Sequence, residues 1–109
     1  GTIVNRLTKI GQSFIMGHVQ GLDIGTKLMG SGKTWWGIVA GSAYTHIENY
    51  RGAQGQRHWR GCIVLNEVEN GEFCPMPLTL NYLSRRYTGL SLREYMVRNH
   101  PYQGWEHLA

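Results

Sequence analysis

The chain has 109 residues, of which 41% are hydrophobic and 17% charged, so it is not an intrinsically disordered segment. It is long enough for one globular domain over residues 1–109. The net charge of +4 suits a phosphate-bearing or acidic partner but is too small to establish nucleic-acid binding. We see no signal peptide and no apolar run of about 18 residues, and so expect a soluble protein with no membrane partner.

The first predicted elements are a helix over residues 2–10 and a strand over 13–17. Apolar residues recur at helical spacing between Thr2, which suits a helix start, and Gly11, which suits a helix stop. The apolar run Phe14-Ile15-Met16 then ends at Gly17-His18. A His at the end of a strand can lie at the rim of a sheet, where ligands and metals commonly bind. The alternative is a structural His that only makes hydrogen bonds.

The stretch 30–34, Gly-Ser-Gly-Lys-Thr, has part of the pattern of a phosphate-binding loop. That loop needs a Gly or Ala five residues before Gly32, where this chain has Lys27, and it needs a helix to follow. Strand-forming residues follow instead. The sequence therefore predicts a tight turn between two strands, at 22–29 and 34–40.

A long polar segment at 41–61 interleaves basic and aromatic residues, with Glu48 as its only acid. This pattern suits contacts with phosphates and bases, and a loop of this length is often functional. The alternative is a solvated loop whose aromatic side chains pack back on the core. The candidate substrate- or partner-binding residues are Tyr44, His46, Tyr50, Arg51, Arg57, His58, Trp59 and Arg60.

Residues 62–79 are predicted to form a hairpin, because Asn70-Gly71 is a preferred pair for a two-residue turn. Counting outward from that turn pairs Ile63 with Leu78 and Leu65 with Met76. The predicted core face is then Ile63, Leu65, Cys74, Met76 and Leu78. Two prolines in the return strand, Pro75 and Pro77, place it at a sheet edge or make it irregular.

The same register places the two cysteines of the chain on opposite faces. Cys62 is predicted to pair with Thr79, and Cys74 with Glu67. A disulfide between them is therefore not expected, and reduced thiols favour a cytoplasmic location.

The remaining residues are predicted to be helical, with one helix over about 80–87 and a second through about Arg98. The second helix is opened by a capping box from Ser91 to Glu94. The last eight residues are expected to be loose, although Trp105 could dock. The predicted fold is α+β, with a mostly antiparallel sheet of about five strands, an N-terminal helix and C-terminal helices.

The order of these elements resembles the C-terminal half of calcineurin-like metallophosphoesterases, particularly those encoded by bacteriophages. The resemblance covers residues 1–88, and residues 89–109 form a further helix and tail. The resemblance rests on the order of six short sequence elements along the chain: Gly17-His18, Gly41-Ser42, Tyr50-Arg51-Gly52, Gln54-Gly55, Trp59-Arg60-Gly61 and Asn70-Gly71.

In that family a two-sheet αβ sandwich surrounds two metal ions, and a Gly-His-x-His motif at a strand end supplies one His to each ion. The resemblance assigns His18 to the first of these positions. Gln20 stands at the second, where an amide oxygen is a poorer ligand than imidazole for Mn, Fe or Zn. The family's other ligands, an Asp-x-His, a bridging Asp, an Asn-His pair and a further His, belong to an N-terminal half that has no counterpart here.

Three functional hypotheses follow. In the first, the chain is half of a metal-dependent phosphoesterase that is not catalytic alone and is completed by an N-terminal half, with the basic segment facing the phosphate. In the second, it is a stand-alone phage-encoded binding module or inhibitor that contacts a host protein or nucleic acid, with self-association as a further possibility. In the third, it is an enzyme using its own pairs, Asp23 with His18 or His46 with Glu48, whose spacings specify no catalytic arrangement.

Overall fold

The computed structural model describes residues 2–17, 21–45 and 59–108. Within these ranges the fold is α+β, as the sequence predicts. Its three helices and five strands are, in chain order, α1 (Ile3–Ile10), β1 (Phe14–Met16), β2 (Leu22–Leu28), β3 (Thr34–Ala40), β4 (Gly61–Glu69), β5 (Glu72–Thr79), α2 (Leu80–Thr88) and α3 (Leu92–Asn99).

The five strands are divided between two sheets. One sheet has the order β1-β3-β2 and the other consists of β4 and β5. The pairs β2–β3 and β4–β5 are antiparallel, and β1 runs parallel to β3. The strand pairing is therefore mostly antiparallel, as predicted, but no single sheet contains all five strands.

Helix α1 covers one face of the three-stranded sheet. The Thr2 hydroxyl accepts a hydrogen bond from the Asn5 N–H at the helix start, and Gly11 ends the helix in the left-handed conformation. Both ends are as predicted. Ile3 and Leu7 are buried against Val39, and the half-buried side chains around this cluster are Phe14, Met16 and Trp35.

Residues 30–33 lie in the turn between β2 and β3, and Thr34 is the first residue of β3, as predicted. The Met29 N–H donates to the Lys33 carbonyl and the Gly32 N–H donates to the Met29 carbonyl. Gly32 has a φ of 87°, a conformation that favours glycine. No helix follows this turn, so its amides do not form a phosphate-binding loop.

The predicted register of the β4–β5 hairpin is wrong by one residue. Glu69 pairs with Glu72 around the Asn70-Gly71 turn, but Ile63 pairs with Pro77 and Leu65 with Pro75. A bulge between Asn66 and Glu69 causes the shift, and Glu67 there has a φ of 51°. The predicted core face is therefore wrong, because Ile63 and Leu65 face opposite to Cys74, Met76 and Leu78.

The two cysteines lie on the same face of the hairpin, so the argument that placed them on opposite faces is also wrong. Both thiols are nevertheless free and exposed. Cys62 pairs with Leu78 and Cys74 pairs with Asn66, which separates the cysteines by four positions, about 13 Å along a strand. That distance is too long for a disulfide.

Both faces of the hairpin carry apolar side chains. The inner face packs on the three-stranded sheet through Phe73, whose ring centroid lies 6.0 Å from that of Trp36. The outer face carries the cross-strand pair Val64 and Met76, which are 37% and 44% exposed, together with the two exposed cysteines. Strands that are apolar on both faces are typical of a sheet that is covered on both sides.

The C-terminal residues are packed rather than loose. The Ser91–Glu94 capping box forms as predicted. Beyond α3, however, Trp105 and Leu108 are 4% and 1% exposed. The Trp105 indole N–H donates to the His100 carbonyl. The expectation of a loose tail is therefore wrong for these residues, and only the docking of Trp105 is confirmed.

The part of the chain that the structure describes is openly packed. The accessible surface is 7141 Å², against roughly 6,100 Å² for a compact monomer of this mass. The radius of gyration is 16.7 Å, against about 13 Å for a compact domain of this length.

Candidate functional site

The parallel pairing of β1 with β3 defines the candidate site. Met16 pairs with Val39, so both strands end at the same edge of the sheet. The chain leaves this edge at Gly17 after β1 and at Gly41-Ser42 after β3. Strand β2 begins beside them, because Leu22 pairs with Ala40. The carboxyl ends of parallel strands are a common position for ligand sites in αβ proteins.

Ser42 connects this edge to the residues before β4. Its N–H donates to the Trp59 carbonyl over 3.3 Å, and its carbonyl accepts from the Gly61 N–H over 3.0 Å. The two stretches form a short parallel bridge at Ser42 and Arg60. The described residues on either side of the basic aromatic segment are thereby joined at the edge where β1 and β3 end.

Arg60 is a buried basic residue next to Ser42, with a relative exposure of 9%. Its Nε donates to the Tyr44 carbonyl over 3.1 Å. Burial lowers the pKa of Arg60 below its ordinary value, and the electrostatic interaction with Tyr44 acts in the opposite direction. A guanidinium keeps its charge under such a shift, so Arg60 supplies a fixed positive charge that also holds the backbone of 44 in place.

Trp59 lies against two glycines. A Cβ at Gly41 would lie 2.6 Å from its Cε3 atom, and a Cβ at Gly61 would lie 2.5 Å from its Cη2 atom. A side chain in place of either glycine would therefore clash with the indole. The half-buried ring packs the ends of the segment together.

The Ser42 hydroxyl is the unusual polar group of the site. Its oxygen is buried and has no hydrogen-bond partner within the described part of the chain. Most buried hydroxyls are paired, so an unpaired one next to a strand end marks a position where a polar group could be accommodated. Nothing in the sequence distinguishes Ser42 from other serines in this respect.

The C-terminal tail reaches the same region, which the sequence did not predict. His107 Nε2 lies 2.6 Å from the Thr45 carbonyl oxygen. A carbonyl can only accept, so Nε2 carries the proton in this contact. The separation of 62 residues leaves no local pattern from which this contact could be found.

The structure brings together three of the predicted partner-binding residues, Tyr44, Trp59 and Arg60. The other predicted site residues lie outside the described ranges: the metal candidates His18 and Gln20, and the partner-binding candidates His46, Tyr50, Arg51, Arg57 and His58. Of the two acid–His pairs weighed for catalysis, only Asp23 is described. It is exposed near the start of β2, where it pairs with Val39.

The described residues do not by themselves fit a metal ion. Across 2–17, 21–45 and 59–108, no group of three or more His, Cys, Asp and Glu side chains is arranged to hold one. Helices long and apolar enough to cross a membrane are likewise absent from these ranges.

The chain was compared with protein-family models, with curated proteins and with solved structures, and none of them matches it.

Proposed function

We propose that this chain is the C-terminal half of a phosphoesterase of the calcineurin-like class, completed by an N-terminal half and not catalytic alone. The observation that supports this most is the common edge at which β1 and β3 end. Gly17, the residue before His18, and the Gly41-Ser42 pair both lie there. In this proposal His18 and Gln20 face a divalent metal, Mn, Fe or Zn, and the basic segment faces the phosphate of the substrate.

The open packing supports the need for a second half. The outer face of the β4–β5 hairpin exposes Val64 and Met76, and the far face of the three-stranded sheet exposes Ile15, which is 46% accessible. Apolar strands of this kind gain stability when another layer covers them. The N-terminal half supplies that layer in the proposed enzyme, which works in the cytoplasm of the host cell.

The donors within the described residues do not complete a metal site, and we assign no chemical step through a metal to this chain by itself. What the chain contributes is a sheet edge, the fixed charge of Arg60 and the buried Ser42 hydroxyl. The other half contributes the remaining ligands. Two-metal phosphoesterases hold their ions about 4 Å apart, which one His and one Gln cannot achieve.

A complementation assay tests this proposal. The purified chain is mixed with the N-terminal half of a calcineurin-like phosphoesterase in the presence of Mn²⁺, and hydrolysis of bis-p-nitrophenyl phosphate is followed. We expect no hydrolysis by the chain alone, hydrolysis by the mixture, and its loss with His18→Ala. His100→Ala is the matched control, since His100 lies at the end of α3. Hydrolysis by the chain alone, or a mixture unaffected by His18→Ala, would contradict the proposal.

One observation favours the second function, a stand-alone module that binds nucleic acid. Helices α2 and α3 expose a single acidic residue, Glu94. They also expose four arginines: Arg85, Arg86, Arg93 and Arg98. The Arg86 guanidinium lies over the exposed ring of Tyr87, with its central carbon 5.8 Å from the ring centroid. Such surfaces bind phosphate backbones with a strong dependence on salt.

Fluorescence anisotropy with a labelled oligonucleotide at several salt concentrations tests the second function. A steep loss of affinity with salt, and a smaller slope in Arg86→Ala than in wild type, would support it. Salt-independent affinity would exclude it.

A further inference from the structure

Strand β2 is a lateral edge of its sheet. It pairs with β3 through all seven of its residues, and no strand of the described ranges 2–17, 21–45 and 59–108 pairs with its other side. Its sequence, Leu-Asp-Ile-Gly-Thr-Lys-Leu, contains no proline and is regular throughout. A regular unpaired edge of this length offers a row of backbone donors and acceptors to another strand.

The charges of β2 are arranged symmetrically about Gly25. Asp23 and Lys27 lie two positions to either side of it and on the same face of the sheet, because side chains alternate along a strand. In an antiparallel pair of two β2 strands with a two-fold axis at Gly25, Asp23 of one copy lies opposite Lys27 of the other. The symmetry makes this contact twice, and opposite charges across such a pair stabilise it.

The other face of β2 is also self-complementary. In the same register Leu22 lies opposite Leu28 of the second copy, and Ile24 lies opposite Thr26. Leu28 is 73% exposed and Ile24 is 36% exposed. Pairing two copies would bury part of these apolar side chains against each other.

We propose that a second copy of this chain binds along β2, with the two-fold axis at Gly25, and extends the sheet to six strands. The strand order of the dimer is β1-β3-β2 in one copy continued by β2-β3-β1 in the other. Lys27 is already held on the correct face, because its Nζ donates to the Thr8 hydroxyl over 2.8 Å. Asp23 is exposed and able to meet it. This inference does not depend on the proposed phosphoesterase function, which concerns the strand ends rather than the side of β2.

A competing explanation is that Lys27 protects the edge, since a lysine on an edge strand often prevents association. The two explanations differ in what they expect from charge reversal. If Lys27 protects the edge, the chain is a monomer and replacing the lysine promotes association. If Lys27 pairs with Asp23 of a second copy, replacing either residue prevents association.

Sedimentation velocity over a range of protein concentrations measures the association. We expect a monomer–dimer equilibrium for the wild type. Asp23→Lys places lysines opposite lysines at both contacts, and Lys27→Asp places aspartates opposite aspartates. Each single variant should weaken the dimer by about tenfold or more, since two favourable pairs become repulsive.

Two further samples restore the pairing without restoring the original residues. The double variant Asp23→Lys/Lys27→Asp exchanges the charges and should dimerise like the wild type. An equimolar mixture of the two single variants should form a heterodimer that neither forms alone. Glu69→Lys is the matched control, because it makes the same charge change on the other sheet and should leave dimerisation unchanged.

Circular dichroism of each variant verifies folding, and the restored dimer of the double variant and of the mixture excludes misfolding as the cause of a loss. A wild-type chain that is monomeric at all concentrations would overturn the proposal. A dimer that persists in both single variants would overturn it as well, because the contact would then lie elsewhere.

Discussion

The side chain of Ile3 lies directly over Gly37. A Cβ built on Gly37 would lie 2.6 Å from Ile3 Cγ2 and 2.9 Å from a ring carbon of Phe14. Gly25, on the neighbouring strand, is equally close to Ile3. Helix α1 therefore packs closely against the sheet at two positions, Gly25 and Gly37, that have no side chain. This close approach buries Ile3 and Leu7.

Gly37→Ala should destabilise the fold by about 1–3 kcal/mol, because the added methyl group overpacks this contact. The measurement is urea unfolding followed by circular dichroism. Gly30→Ala is the control, since a Cβ at Gly30 has no atom within 4 Å and should cost little. In the double variant with Ile3→Ala, the cost of Gly37→Ala should fall, because the clashing Cγ2 atom is gone. Equal costs in the two backgrounds would contradict the contact.

Glu67→Gly should stabilise the β4–β5 hairpin. Glu67 has a φ of 51° at the bulge, a conformation that costs other residues more than glycine. We expect a gain of up to about 1 kcal/mol in the free energy of unfolding, reduced by the greater freedom of glycine in the unfolded chain. Val68→Gly, at the next position, should destabilise and serves as the control. A loss of stability in Glu67→Gly would argue against the bulge at this residue.

Glu94 should make the stability depend on pH. Hydrogen bonds from the Ser91 N–H and hydroxyl lower the pKa of Glu94 below its ordinary value of 4.5. A carboxyl whose folded pKa is depressed contributes stability above its unfolded pKa and loses it as pH falls through the folded value. The melting temperature should therefore fall less below about pH 4.5 in Glu94→Gln than in the wild type. A melting temperature that falls equally with pH in Glu94→Gln and in the wild type would contradict the contribution of this capping box.

Ser42→Ala should leave the stability unchanged or raise it. The Ser42 oxygen is buried without a partner in the described structure, so the substitution removes an unpaired polar atom rather than a hydrogen bond. Thermal unfolding measures the effect, with Thr79→Ala as a comparison, because the Thr79 hydroxyl caps α2 and its loss should cost about 1 kcal/mol. A loss of similar size in Ser42→Ala would mean that the hydroxyl has a partner in solution.

The sequence predicted those parts of the fold that depend on local chemistry. Thr2, Gly11 and the Ser91–Glu94 box determine helix ends through contacts within a few residues, and the structure confirms them. The turn at Asn70-Gly71 is of the same kind, with positive φ at both residues.

The register of β4–β5 could not be predicted from the pattern. Hydrophobic alternation normally indicates which face of a strand is buried, but here both faces are apolar. One face carries Val64 and Met76, and the other carries Ile63 and Leu65. The pattern therefore gives no reason to prefer one register over the other. The bulge at Glu67, which selects between the registers, has no signal in the sequence because a glutamate there is unfavourable.

The candidate site was predictable only in part. The sequence predicts Tyr44, Trp59 and Arg60 as partner-binding residues of one segment, and the structure joins Arg60 to the Tyr44 carbonyl by a hydrogen bond. Ser42 was noted only as part of the Gly-Ser pair, and the contact of His107 with Thr45 was not expected. Such contacts depend on how distant elements pack together, which periodicity and turn chemistry do not describe.

Binding of Mn²⁺, measured by isothermal titration calorimetry, tests the proposal that His18 and Gln20 hold a metal at the edge where β1 and β3 end. The samples are the wild type, His18→Ala, and Gln20→His, which restores the second His of the family motif. We expect weak Mn²⁺ binding by the wild type, no binding by His18→Ala, and tighter binding by Gln20→His, because imidazole is the better ligand. Identical titrations for all three proteins would contradict it, since the edge where β1 and β3 end would then have no role in holding a metal.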